Sequence, residues 1–139
     1  MRARLAAAAL AAAACLAGCA PAAVTRVARQ VGASLYVPAK LPSGMRLAGA
    51  QRIGPRMAYI AYSAGTASLG ILESPDPIAP PPGSEKGSDG VWRGFAQAGG
   101  QETETVLMHL PGAYVEVLAA GIAPQGVDNL AAEWTKVAP

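Results

Sequence analysis

Residues 103–120, TETVLMHLPGAYVEVLAA, decide the fold, because two alternating segments flank a Pro-Gly pair. In the first segment Val106, Met108 and Leu110 fall on one face, and in the second Val115 and Val117 alternate with polar or aromatic residues. A period of two is typical of half-buried strands, and Pro-Gly marks a turn. Short loops join antiparallel strands, so these residues predict an antiparallel hairpin.

Further strands precede this hairpin. The pattern predicts them at residues 45–52, 57–63, 67–73 and 90–98, with turns at residues 64–66 and 99–100. Residues 75–82 carry too many prolines for a central strand and are interpreted as an extended surface connection. That connection is either a plain spacer or a ligand for a proline-recognising module.

The chain closes with a predicted helix over residues 127–137. Val127, Leu130, Ala131 and Trp134 form one apolar stripe, of which Trp134 is expected to be the main anchor. The fold class is therefore α+β: an antiparallel sheet of about five or six strands with a C-terminal helix packed on one face. Residues 34–139 are expected to fold as a single domain without metal or disulfide.

The beginning of the chain has the layout of a secretory signal. Two arginines, Arg2 and Arg4, precede an uncharged apolar run over residues 5–16, and small residues follow. The run is about 12 residues long, whereas a membrane-spanning helix needs about 20. We therefore expect residues 1–18 to be a signal peptide rather than a permanent transmembrane anchor.

Leu16-Ala17-Gly18-Cys19 resembles the lipobox of bacterial lipoproteins. The resemblance implies that Leu16, Ala17 and Gly18 are recognised by the signal peptidase and that Cys19 is lipidated. Its thiol would carry diacylglycerol and its amine a further acyl chain, and two or more chains anchor a protein stably. An aspartate directly after the lipidated cysteine would favour retention at the inner membrane. This chain has Ala20 at that position, which favours the outer membrane if the host has one. The alternative is a secreted protein in which Cys19 is incidental.

Residues 19–33 are interpreted as a lipidated tether. Val24, Val27, Ala28 and Val31 have helical spacing, which indicates either a short amphipathic helix or a partly ordered segment, and packing against the domain is expected rather than a specific function. Arg26 and Arg29 lie opposite this stripe, as a solvated face or as a contact with anionic lipid headgroups.

Charge and cysteine content exclude several functions. The 139-residue chain has a formal net charge of +2, and without Arg2 and Arg4 it has nine basic and nine acidic residues. This balance does not suit a nucleic-acid-binding protein, which needs clustered Lys and Arg. Cys15 leaves with the signal and Cys19 carries lipid, so neither a disulfide nor a cysteine-ligated zinc site is expected.

The sequence also has few residues that could form a catalytic or metal site. His109 is the only histidine, and its strand position offers no nucleophile and carboxylate for a triad. Glu102 and Glu104 share one face of a strand, where they form either a weak cation site or a solvated strand edge. A glycine-rich phosphate loop followed by Lys is absent from the sequence. We therefore predict a protein that is not an enzyme and has no cofactor or metal.

Residues 36–45, YVPAKLPSGM, are similar to the opening of a bacterial domain family of unknown function. That family occurs in envelope lipoproteins and at the C-termini of anti-sigma-factor proteins. The resemblance covers about residues 34–139 and implies antiparallel strands and a short closing helix, although the proline-rich residues 75–82 depart from its compact form. The family has no established catalytic residues, so none is transferred.

Three functional classes remain, and the last of them, an enzyme, is set aside because no catalytic group was found. The first is a lipid-anchored cell-envelope module without catalytic activity, which binds a protein partner or senses envelope state. The second is a half-barrel carrier or binder of an apolar ligand such as lipid. An open hollow would favour the carrier, and a filled core would favour the module.

Overall fold

The computed structural model describes residues 21–98 and 100–139. The predicted signal peptide and Cys19 lie outside these residues. The helices are α1 (Ala22–Val31) and α2 (Pro124–Ala132). The strands are β1 (Leu35–Pro38), β2 (Arg46–Arg52), β3 (Ala58–Ala64), β4 (Ala67–Ser74), β5 (Glu85–Lys86), β6 (Trp92–Ala98), β7 (Gln101–Leu110), β8 (Ala113–Ala120) and β9 (Trp134–Val137).

The main sheet has seven strands in the order β2-β3-β4-β8-β7-β6-β5, and every neighbouring pair is antiparallel. The six strands predicted from alternation are its six long strands, and the α+β class is confirmed. The seventh strand is the two-residue β5, which is too short to show a period. Strands β1 and β9 form a separate antiparallel pair.

The core lies on one face of the main sheet, which we call the inner face. Ile60, Ile71 and Val117 point into it and are fully buried. Helix α1 packs against β2 and β3, and its four apolar residues Val24, Val27, Ala28 and Val31 are buried in the same cluster. The described chain therefore makes α1 part of the core, upstream of the domain start expected at residue 34.

The C-terminal segment differs from the expected helix. Helix α2 ends at Ala132, since Glu133 is extended with φ −130° and ψ 129°. Trp134 then begins β9, where it pairs with Pro38 of β1. Its half-buried indole donates a hydrogen bond from Nε1 to the carbonyl of Ala131 at 2.8 Å.

The expectation that Trp134 anchors the helix is therefore wrong. Val127 and Leu130, which are 0% and 2% exposed, anchor α2 instead. The pairing between β1 and β9 joins residues about a hundred positions apart, and local periodicity carries no information about such a contact. Neither helix of the described residues is long and apolar enough to cross a membrane.

Candidate functional site

The sheet also has an outer face, which points away from α1. Strand register aligns two rows of side chains across this face. One row is large and consists of Trp92, Leu107, Glu116, Leu72 and Tyr59. The adjacent row is mostly small and consists of Gly94, Thr105, Leu118, Gly70 and Ala61. Small residues beside large ones leave a trough that runs across the strands.

An open groove of about 400 Å³ occupies part of this trough and the neighbouring row. Its lining includes Tyr59, Ser63, Ser68, Gly70 and Leu118. The Tyr59 ring lies directly over Gly70, where an added Cβ would stand 2.7 Å from the phenol oxygen. A glycine at position 70 therefore allows the tyrosine to lie flat and to form one wall of the groove.

Residues 75–84, which we call the strap, cover another part of the outer face. They connect β4 to β5 across the three strands that separate them in the sheet. Ile78 and Pro80 line a hollow of about 280 Å³ together with Trp92 and Tyr114. At the end of the strap, an added Cβ on Gly94 would stand 3.0 Å from the Ser84 Cα atom. The proline-rich segment thus packs on the sheet, and its extended form suits a crossing without strand pairing.

Glu116 lies in the row of large side chains, in the middle of the outer face. It is 8% exposed, and burial raises the pKa of its carboxyl group above the ordinary value. Its register neighbours are Leu107 and Leu72. The outer face therefore contains a carboxyl group that is held among apolar side chains.

A second buried carboxyl group lies on the inner face. Glu73 is 1% exposed, and the backbone N–H of Tyr36 in β1 donates a hydrogen bond to its Oε1 at 2.6 Å. Its other oxygen, Oε2, is buried without a hydrogen-bond partner among the described residues. The Tyr36 phenol donates a hydrogen bond to the carbonyl of Pro111 at 2.6 Å, so both groups tie β1 to the main sheet.

Burial dominates the titration of Glu73 and raises its pKa to about 8, although the hydrogen bond from Tyr36 acts in the opposite direction. Burial and the neighbouring Glu73 raise the pKa of Tyr62 to about 12. At neutral pH Glu73 is therefore mostly a neutral acid, as expected for a carboxyl group taken out of water without a cation. The burial of Glu73 had one signal in the sequence: the strand predicted at residues 67–73 places Glu73 on the same face as Leu69 and Ile71.

The residues singled out in the sequence are not brought together. Leu16, Ala17, Gly18 and Cys19 lie outside the described residues. His109 is exposed and stacks on Tyr114, with ring centroids 4.4 Å apart.

The two glutamates of β7 differ in their surroundings. Glu102 is exposed, whereas Glu104 is partly buried, and burial raises the pKa of Glu104. Across residues 21–98 and 100–139, no three His, Cys, Asp or Glu side chains are grouped so that they could hold a metal ion.

Fold and site together define an α+β protein whose antiparallel sheet packs a core on one face and keeps a groove and a strap on the other. No family model matches the chain, and no curated protein matches it. Among solved structures, the chain is similar to the crystal structure of MucB in complex with MucA(peri), with a TM-score of 0.48 and 13% sequence identity. The match covers 75% of this chain and 37% of that chain.

Proposed function

We propose that the protein is a lipid-anchored cell-envelope module without catalytic activity, which binds a protein partner or senses envelope state. The observation that carries this proposal is the continuous core of buried apolar side chains that the described residues form. The resemblance of residues 36–45 to the family found in envelope lipoproteins and anti-sigma-factor proteins supports the same reading.

The filled core argues against an internal ligand. One continuous cluster joins α1, the β1–β9 pair, the inner face and α2, and it includes fully buried Ile60, Ile71 and Val127. Protein interiors packed in this way have few voids larger than a water molecule. A partner or ligand would therefore bind at the surface, and the outer face offers the groove described above.

The carrier remains the second candidate, and the groove favours it. The groove lining is mostly apolar, and its volume of about 400 Å³ falls in the range of small-molecule sites. A groove that is open to solvent would hold an acyl chain less completely than an enclosed barrel would. For this reason we place the carrier below the module.

Lipidation would place the folded domain close to the membrane. Only Ala20 and Pro21 separate Cys19 from the first residue of α1. Two extended residues span at most about 7 Å. Residues 19–33 would therefore act as a short attachment followed by a core helix, rather than as a long tether.

We expect the mature chain to begin at Cys19 and to carry a diacylglyceryl group, because a thiol at this position of a lipobox is the acceptor. Intact-mass spectrometry of the protein from its own envelope measures this directly. Cys19→Ala should leave the precursor uncut, whereas Cys15→Ala should be processed normally. An unmodified mature chain that begins elsewhere would contradict the assignment.

The partner can be sought by photo-cross-linking in the native envelope. A photoreactive amino acid at Ser63, which is exposed in the groove, is compared with the same residue at Lys136, which is exposed on β9. We expect a protein adduct of defined mass at position 63 that is weak or absent at position 136. Adducts that contain only lipid at position 63 would favour the carrier, and equal protein adducts at both positions would argue against a specific surface.

A further inference from the structure

Charge is strongly segregated along the chain. Between Ala20 and Leu72 there are six basic residues and no acidic residue. From Glu73 to the C-terminus there are nine acidic residues and three basic ones. The formal neutrality of the mature chain therefore conceals a basic half and an acidic half.

The fold places the outer strands of the two halves at opposite edges of the main sheet. Strand β2, from the basic half, is one edge of the seven-stranded sheet, and β5, from the acidic half, is the other. Helix α1 packs against β2, so the arginines on its solvent side belong to the same end of the molecule. We call α1, β2 and the turn between β2 and β3 the basic edge.

Four arginines of the basic edge are exposed and form no ion pair within the described residues: Arg26, Arg29, Arg46 and Arg52. The other two cations of this half have acidic partners, since Arg56 contacts Asp76 at 3.1 Å and Lys40 contacts Glu133 at 3.8 Å. The basic edge therefore presents positive charge that the protein itself does not neutralise.

The turn after β2 adds an apolar side chain to this charge. Ile53 is 47% exposed and is one of two large hydrophobic side chains exposed in the described part of the chain. It lies between Arg52 and Arg56 in a turn closed by a hydrogen bond from the Ile53 N–H to the Met57 carbonyl at 2.9 Å. An exposed apolar residue flanked by arginines suits the boundary between headgroups and acyl chains, where arginine stems also pack on apolar surface.

We propose that the basic edge is a membrane-contact surface that rests on anionic lipid headgroups, with Ile53 inserted among them. The proposal rests on the lipid anchor proposed above, because α1 begins three positions after Cys19. Basic residues beside an anionic surface are attracted within a Debye length. At the other end of the sheet Glu85 on β5 and Glu102 on β7 are exposed and are repelled, so the molecule stands with that end away from the membrane.

The test uses the full-length chain as the cell processes it, reconstituted in vesicles of phosphatidylcholine alone or with one quarter phosphatidylglycerol. A photoreactive amino acid replaces Ile53 or, as the control, the exposed Phe95 of the acidic half. Lipid adducts are quantified by mass spectrometry. We expect strong lipid labelling at position 53 in the anionic vesicles, weak labelling in neutral vesicles or high salt, and little labelling at position 95.

Charge variants identify the cause of the labelling. Arg26→Gln, Arg29→Gln and Arg52→Gln should each reduce labelling at position 53 by about fivefold, since one basic residue near an anionic surface contributes about that factor. Lys86→Gln on the opposite edge is the matched control and should leave the labelling unchanged. Circular dichroism of each variant ensures that only folded protein is compared.

The outcomes separate this proposal from the lipid anchor. Equal labelling at positions 53 and 95, or labelling independent of phosphatidylglycerol, overturns the membrane-contact surface. An adduct at position 53 that joins two copies of the chain overturns it too and makes the basic edge an interface between copies. If the protein fails to float with neutral vesicles, only the anchor is overturned. The membrane-contact surface is still tested, because the same protein can be added to anionic vesicles and its attraction to them measured.

Discussion

Replacing Glu73 with glutamine is expected to remove a large pH-dependent loss of stability between about pH 4.5 and 8. The pKa of Glu73 is raised from 4.5 to about 8 in the folded protein, whereas in the unfolded chain it returns to its ordinary value. The folded state therefore binds one more proton across this range, and the free energy of unfolding falls as the pH rises.

The sign follows from the raised pKa. The stabilisation from Glu73 is fully present below about pH 4.5 and is lost as the pH passes through about 8. One proton corresponds to about 1.4 kcal/mol per pH unit, so the loss over this range amounts to about 5 kcal/mol. Above pH 8 the carboxylate of Glu73 is charged and buried, and the Tyr36 N–H is its only hydrogen-bond donor in the described residues. Entry of water or displacement of β1 would then solvate this charge.

Denaturant unfolding at a series of pH values tests this expectation. Glu73→Gln keeps an oxygen acceptor for the Tyr36 N–H and should match the wild type near pH 4, yet exceed its stability by about 5 kcal/mol near pH 9. Glu102→Gln, at an exposed position, is the matched control for the change of residue type. A difference between Glu73→Gln and the wild type that does not change with pH would show that the carboxyl group stays solvated.

Removing helix α1 should prevent folding of the rest of the chain. Val24, Val27 and Ala28 are at most 1% exposed, and Val31 is 6% exposed. Burying a valine contributes about 1.5–3 kcal/mol, so the helix accounts for about 5 kcal/mol or more. That is comparable to the whole stability of many small domains, which is about 5–15 kcal/mol. Its loss would also uncover the inner face of β2 and β3, against which it packs.

The comparison needs two chains and one matched pair of variants. A chain of residues 20–139 should unfold in one cooperative transition, and a chain of residues 34–139 should show none. Val27→Asp should destabilise the longer chain severely because it buries an unpaired carboxylate, whereas Gln30→Asp, on the exposed side of the same helix, should have little effect. A cooperative transition in the shorter chain would restore residue 34 as the start of the domain.

Local patterns were sufficient for most of the main sheet. The strands predicted at 67–73 and 113–120 correspond to β4 and β8, and the Pro-Gly turn at Pro111 lies where expected. Period-two alternation reports which residues face a core, and turn residues report where the chain reverses. Both are properties of neighbouring residues, so a sequence expresses them directly.

Long-range pairing lay beyond these patterns. Residues 127–137 have a helical stripe, yet Trp134 leaves the helix to pair with β1. The extended conformation of Glu133 and the backbone of residues 35–38 decide that outcome, and neither is visible in the stripe. The pairing of β4 with β8 likewise joins two runs of sequential antiparallel strands, β2 to β4 and β5 to β8.

The sequence by itself determined the α+β class and the long strands, and it contains the motif resembling a lipobox from which attachment at Cys19 is predicted. Only the tertiary structure decided that α1 belongs to the core, that the strap packs on the outer face, and that Glu73 is buried beneath β1. The physical reason is that burial depends on what the opposing layer covers, and that layer comes from residues far away in the chain. The same dependence collects the scattered arginines of the first half at one edge of the sheet.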